Sequence, residues 1–398
     1  MASPAVPGPA SQLHVCADAT RSFLPHVRVL ARSLLRFHPD VRVSVVVLDG
    51  NGSDADPRRE LFETLEPSAL PLSRAEFHRM ATIYDAQELG AALKPWVLRR
   101  ALEESEAAIW LDADVEAFER IDDLAGLSSQ ASIVLTPHVV KPSTMVPGRQ
   151  GVFNAGVIVA SRRAAAILDW WCECLRWSER VPPSTKRFWT QVWLDNLPCY
   201  FDDYAVLRDP TVNVAQWNLH EREVTWAEGR YEVDGKPLRI FHFSGAQVGG
   251  RLSPPLAEHP VVRQLCGEYR ARLREEGFVD DGSPSYGFAR SASGLELTLG
   301  VRRFLRDVFL SAEQQGLEPP PDPFEPAGAE MLSTWLERPA VRRAAALYGL
   351  TSYGRVGRTL RRVGLRVGGR RWDYGRAVLE ARQEAVRELA ALRRAWGE

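Results

Sequence analysis

Near the start of the chain lies a strand–helix–strand pattern that narrows the possible folds more than any other feature. LHVCADA (residues 13–19) is a short apolar run. From Phe23 to Phe37, Leu24, Val27, Leu30, Ala31, Leu34 and Leu35 recur at helical spacing. VRVSVVVLDG (residues 41–50) is then rich in β-branched residues and stops at an Asp-Gly turn signal. A strand that is apolar on both faces must be covered on both faces. The spacing therefore predicts a βαβ unit, a buried parallel strand and the α/β class.

The alternation continues downstream. Gly90 to Ser105 reads as a helix leading into AAIWLDADVEAF, an apolar strand ending in acidic residues. ASIVLTP and GVFNAGVIVAS read as strands, Arg162 to Trp177 and FWTQVWLDNL as helices, LRIFHFSGA as a strand running into a loop, and His259 to Glu276 as a closing helix. This predicts a Pro/Ala/Gly-rich disordered segment at 1–11 and an α/β domain at 12–276. A Pro/Gly-rich linker follows at 277–335, with a helix near Leu295 to Gln314, and then a basic helical region at 336–398. No fixed-period repeat is present, which argues against a solenoid.

Composition removes several classes of function. Net charge is −1, so no global field draws nucleic acid. The five cysteines (Cys16, Cys172, Cys174, Cys199 and Cys266) are odd in number and form no C-x-x-C, as expected of a reduced cytoplasmic chain. The first residues lack a basic start and an apolar core, and no run reaches the roughly 20 apolar residues of a membrane span. The expectation is a cytoplasmic protein. Its C-terminal arginines (Arg342, Arg343, Arg358, Arg361, Arg362, Arg366, Arg370, Arg371, Arg393, Arg394) suit either a helix lying on the inner face of the cell membrane or a solvated face packed on protein.

Five segments carry polar groups suited to chemistry. Asp112-Ala113-Asp114 follows the apolar AAIWL. Alternate strand residues share a face, so two carboxylates there repel unless a hard cation such as Mn²⁺ or Mg²⁺ sits between them; otherwise they are two solvated loop acids. His242, in IFHFSG, offers an imidazole as a third ligand or is a satisfied core histidine. Gly245 beyond it lets backbone approach a phosphate. Asn154-Ala155-Gly156 offers an amide to sugar hydroxyls or is a turn opening a strand. Lys94, in KPW near the start of its helix, is a cation for a diphosphate or a surface lysine. Thr190 and Gln191 in WTQVWLD, with Asn213, Trp217 and Asn218 in NVAQWN, are polar groups set among aromatics, suited to a sugar pocket or to a core helix.

In order, KPWVLRRALEESEAAIWLDADVEAF, GVFNAGVIVAS, WTQVWLDNLP, NVAQWNLHER and IFHFSGA resemble the family 8 glycosyltransferases and their bacterial relatives. That group includes glycogenin and the lipopolysaccharide galactosyltransferases, and the nearest likeness is to a bacterial subgroup with NVAxWNLxxR and FHFSG segments. The likeness spans about residues 12–270. It implies a GT-A fold with a Rossmann-like nucleotide-binding half. It also implies metal ligation by Asp112, Asp114 and His242, and donor contacts from Lys94, Asn154, Ala155, Gly156 and Gly245. Gln191 and Asp114 would be catalytic, with Gln191 near the anomeric carbon. Ala17 and Asp18 would face base and ribose, and Thr190, Trp217 and Asn218 the acceptor side. The implied reaction moves a sugar from a nucleotide-sugar donor, usually a UDP-sugar, to an acceptor hydroxyl with retention, in bacterial glycan synthesis.

Two positions depart from the pattern. Thr190 stands where relatives carry an aspartate, and beyond HFSG only Arg251 is available where relatives supply a lysine. The first departure leaves open a catalytically idle domain acting as a scaffold for glycan assembly. A nucleotidyltransferase on the same fold would need a Gly-rich basic loop after the first strand, and CADATRSF contains no glycine.

Overall fold

A computed structural model describes residues 13–50, 60–142, 151–177, 189–246, 250–279, 286–318, 320–342, 344–345, 366–367, 370–371 and 374–396. Residues 1–11, read as disordered, lie outside this set, as do Arg343, Arg358, Arg361 and Arg362. The chain forms two compact units: residues 1–71, 90–172 and 187–285, and residues 72–89, 173–186 and 286–398.

The first unit is α/β. Its strands are β1 (His14–Ala19), β2 (Arg42–Val47), β3 (Glu63–Leu65), β4 (Ala107–Leu111), β5 (Val115–Ala117), β6 (Ile133–Pro137), β7 (Phe153–Ser161) and β8 (Tyr204–Val206), followed by β9 (Val224–Ala227), β10 (Arg230–Val233), β11 (Lys236–Pro237) and β12 (Ile240–His242). Seven form one sheet in the order β3-β2-β1-β4-β7-β6-β8. β1 pairs in parallel with β2 and β4, β2 with β3, and β6 with β8, whereas β7 runs antiparallel between β4 and β6. The sheet is mostly parallel and flanked by helices, an α/β arrangement. The helix Leu24–Phe37 buries Leu24, Val27, Leu30, Ala31 and Leu34 as its periodicity predicts, in a core shared with Val15, Val45, Ile109 and Val159.

Several local expectations need correction. AAIWLDADVEAF is two strands, because the chain turns at Asp112–Asp114, closed by the Val115 amide donating to the Asp112 carbonyl at 3.1 Å. β5 therefore leaves the main sheet and pairs antiparallel with β12, with His242 opposite Val115. The helix read from Gly90 starts at Ala86, which puts Pro95 in its interior rather than near its start. The C-terminal arginine-rich stretch is not wholly helical: Arg366–Val367 pairs with Arg370–Arg371 before the helix Tyr374–Trp396.

The second unit is organised by buried side chains of opposite character. Trp335 stacks on Phe304 with ring centres 5.5 Å apart and donates its indole N–H to the Ala385 carbonyl. Buried Arg302 donates to the carbonyls of Ala81, Thr82, Tyr84 and Phe288, which answers its charge with backbone dipoles. Among the described residues no helix is long and apolar enough to cross a membrane, and all five cysteines are free thiols.

Candidate metal centre

β4 delivers Asp112 and Asp114 to the end of the sheet, and the β5–β12 pairing brings His242 to them from far along the chain. Phe243 N–H donates to the Asp114 carbonyl at 2.8 Å, which locks that crossing. His242 Nε2 lies 3.1 Å from Asp114 Oδ1 and 3.8 Å from Asp112 Oδ2. One ligand atom from each of the three residues falls within 4.8 Å of the others. Two hard carboxylate oxygens and one imidazole nitrogen fit a divalent cation.

The other oxygen of Asp112 is already claimed. Lys94 Nζ lies 2.5 Å from Asp112 Oδ1, and Trp110 Nε1 donates to the same atom at 2.7 Å. Lys94 also donates to the Ala155 carbonyl at 3.0 Å, and Asp112 N–H donates to the Gly156 carbonyl at 3.0 Å. Only Asp112 Oδ2 is thus turned toward Asp114 and His242. Burial pulls the His242 imidazole down, but the adjacent Asp114 carboxylate more than reverses this, and its pKa lies above the ordinary histidine value. Asp114 is penalised by burial, yet facing His242 holds its carboxyl at about 2.

The remaining predicted residues divide by placement. Asn154 and Gln191 belong to the same buried network: Gln191 Oε1 accepts from Asn154 Nδ2 and from the Ala155 amide, both at 3.1 Å. Gly156 must be glycine, since a Cβ there would lie 2.5 Å from His242 Cε1. Gly245 adopts a left-handed φ of 84°. Trp217 sets its ring edge-on to His242, with centres 5.1 Å apart, and its buried indole N–H has no partner among the described residues.

Asp18 stands near Lys94 and Asp112, with one buried carboxylate oxygen unpartnered among the described residues; burial pushes its pKa well up, against the pull of Lys94. Ala17 is fully buried within β1 and offers no side chain to a ligand. Asn218 is fully buried; its amide accepts from the Ala215 N–H and donates to the His138 and Asn213 carbonyls, which holds its own loop together. Thr190 is buried and its carbonyl accepts from Trp171 Nε1. Arg251 is exposed.

Sequence reasoning missed Trp110, Thr136 and His138. Trp110 was within reach, because residue i−2 shares a strand face with the acid. The other two depend on β6 coming alongside β7, which no local pattern announces.

No family model matches the sequence. The chain is 29% identical over 250 residues to the uncharacterized protein YfnF of Bacillus subtilis, covering 58% of this chain and 81% of that protein. Among solved structures it is similar to the glycosyltransferase GlyE of Streptococcus pneumoniae, with a TM-score of 0.41 and 12% identity over 67% of this chain. It spans 63% of that chain, less than two thirds of its length. It is also similar to mouse xyloside xylosyltransferase 1, with a TM-score of 0.39 and 16% identity over 58% of this chain and 97% of the other.

Proposed function

We propose that the chain is a metal-dependent glycosyltransferase that moves a sugar from a nucleoside-diphosphate donor, best matched by a UDP-sugar, to an acceptor hydroxyl in bacterial glycan synthesis. One observation carries the proposal: Asp112, Asp114 and His242 present one ligand atom each within 4.8 Å, with Lys94 bound to the outer oxygen of Asp112. The ordered motif resemblance supports it.

In this reading Asp112 Oδ2, Asp114 and His242 Nε2 hold Mn²⁺ or Mg²⁺. Once bound, the cation would stabilise negative charge building on the departing diphosphate. Lys94 adds a positive charge beside the site and keeps Asp112 in one rotamer. Asp18, half-buried on β1, faces the nucleoside end, and Gln191 sits on the sugar side through its bond to Asn154. Thr190 supplies no carboxylate for a covalent glycosyl intermediate. Front-face attack with retention, the acceptor proton passing to the leaving phosphate, is therefore the route we assign.

The test is a donor-hydrolysis screen over UDP-, GDP- and dTDP-sugars with Mn²⁺. Chelation should abolish turnover, and Asp114→Asn should lower it by at least about 100-fold, the scale of losing one such electrostatic contact. Wild-type rates in Asp114→Asn would remove the proposal. The buried Thr190, standing where relatives carry an acid, favours one second reading, an idle donor-binding scaffold. Calorimetry showing Mn²⁺-dependent UDP binding without any donor hydrolysis would select it.

A further inference from the structure

We infer that Asn213 is a positioning residue for the proposed metal centre, holding His242 in the tautomer whose Nε2 turns a lone pair toward Asp112 and Asp114. The inference rests on the metal-dependent reading above and extends it to a residue that would not touch the cation.

The polarity of the network follows from backbone amides, whose direction is unambiguous. Gly156 N–H donates to Asn154 Oδ1 at 2.8 Å, and Ala155 N–H donates to Gln191 Oε1. Asn154 therefore turns its oxygen toward Gly156 and its amino group toward Gln191. Asn213 lies 2.8 Å from that same Asn154 oxygen, so the Asn213 atom there must be the donor, Nδ2. Nδ2 also donates to Thr136 Oγ1 at 2.9 Å; that hydroxyl in turn donates to the carbonyls of Asn154 and Val157. What remains of Asn213 is Oδ1, an acceptor, 3.2 Å from His242 Nδ1. The proton must then sit on Nδ1, and Nε2 is the nitrogen left to ligate. Outer partners of this kind set ring orientation and ligand basicity at metal-bound histidines.

The backbone is committed to the same end. Asn213 is fully buried and has a left-handed φ of 57°, a conformation that costs a non-glycine residue about 1 kcal/mol or more. Val214 N–H donates to the Ile240 carbonyl, His242 N–H donates to the Val214 carbonyl, and Asn218 holds the Asn213 carbonyl. These bonds tie the Asn213 loop to β12 at Ile240 and at His242 itself, which brings the asparagine amide to the imidazole. A loop needing only the backbone shape would be less strained with glycine, so the side chain is the part that the network uses.

The test is Mn²⁺ binding to the full chain in the presence of UDP, followed by electron paramagnetic resonance, with Asp114→Asn as the reference for a lost site. Asn213→Gly keeps the left-handed backbone and removes the acceptor; Mn²⁺ affinity should fall about 10- to 100-fold. Asn213→Asp keeps an acceptor for Nδ1–H and should bind within a few-fold of wild type. A purely structural role predicts the reverse order, because aspartate would bury a charge against the Asn154 oxygen. In the wild-type complex with Mg²⁺ and UDP, ¹⁵N correlation spectra should show His242 protonated at Nδ1 and not at Nε2, a readout that needs no variant to fold. Near-wild-type affinity in Asn213→Gly, the reversed order, or an Nε2–H tautomer each overturns the inference alone. Wild-type protein that binds Mn²⁺ no better than Asp114→Asn removes the metal centre, and this inference with it.

Discussion

Gly156 lies on β7 beside Asp112, and an added Cβ would meet His242 Cε1 at 2.5 Å and Nδ1 at 2.6 Å. Neither the strand backbone nor a ring held by Asn213 yields cheaply, so Gly156→Ala should push the imidazole off the carboxylates. The expected result is a stability loss of about 1–3 kcal/mol from overpacking, together with at least a ten-fold weaker Mn²⁺ affinity. Denaturant titration and metal titration read the two effects separately. Unchanged metal affinity would mean that His242 is not held where the structure has it. Electrostatics act at the same scale. Lys94 and Trp110 together occupy Asp112 Oδ1, so a single carboxylate oxygen faces the cluster, and its direction is set by neighbours on a helix and a strand.

Single elements obey ordinary rules except where they feed the site. The helix Arg74–Ile83 opens with a complete capping box: Ser73 accepts from the Glu76 amide, and Glu76 returns to the Ser73 backbone. Ser73→Ala should cost about 1 kcal/mol, read as a fall in the unfolding midpoint of the second unit; no fall would mean that the cap contributes nothing there. The helix that carries Lys94 instead holds Pro95 in its interior, where the ring removes a hydrogen bond and clashes with the preceding turn. The acidic segment is interrupted too, by a turn between β4 and β5. The AAIWL strand ends at the acids as its sequence suggests, but a turn closed by the Val115 amide, and not strand alternation, places Asp112 and Asp114. Both interruptions lie within a few residues of a side chain of the Asp112–Asp114–His242 cluster or of Lys94 beside it.

Over the whole molecule, buried histidines set the response to acid. His14, at the start of β1, lies between the hydroxyls of Ser105 and Ser44, and burial lowers its pKa to about 4, with Arg42 adding to the effect. The unfolded chain takes up this proton near 6.5, so between those values the unfolded state binds more protons than the folded one. This stability is complete above pH 6.5 and is lost as pH falls toward 4, by on the order of 3 kcal/mol for His14. Urea midpoints at pH 7.5 and 4.5 should therefore lie closer together in His14→Gln than in wild type. An equal gap in the two proteins would show that the histidine does not contribute.

Period and residue type by themselves determined the α/β class, the βαβ opening, the amphipathic face of the helix Leu24–Phe37 and the acidic pair at the end of β4. Each of these rests on near neighbours in the chain, where spacing translates directly into facing. Tertiary structure decided the rest. His242 reaches Asp114 only because β5 departs from the main sheet to pair with β12, and Asn213 reaches His242 only because Val214 hydrogen-bonds along that same strand. Asn218, next to Trp217, reads as a polar pocket residue in one dimension, whereas in three its amide is bonded to the backbone of Asn213, Ala215 and His138. The physical reason is range. Burial patterns are written within a few residues, whereas this cluster is assembled by hydrogen-bonded crossings, β5 with β12 and Val214 with Ile240 and His242, whose partners are distant in the chain.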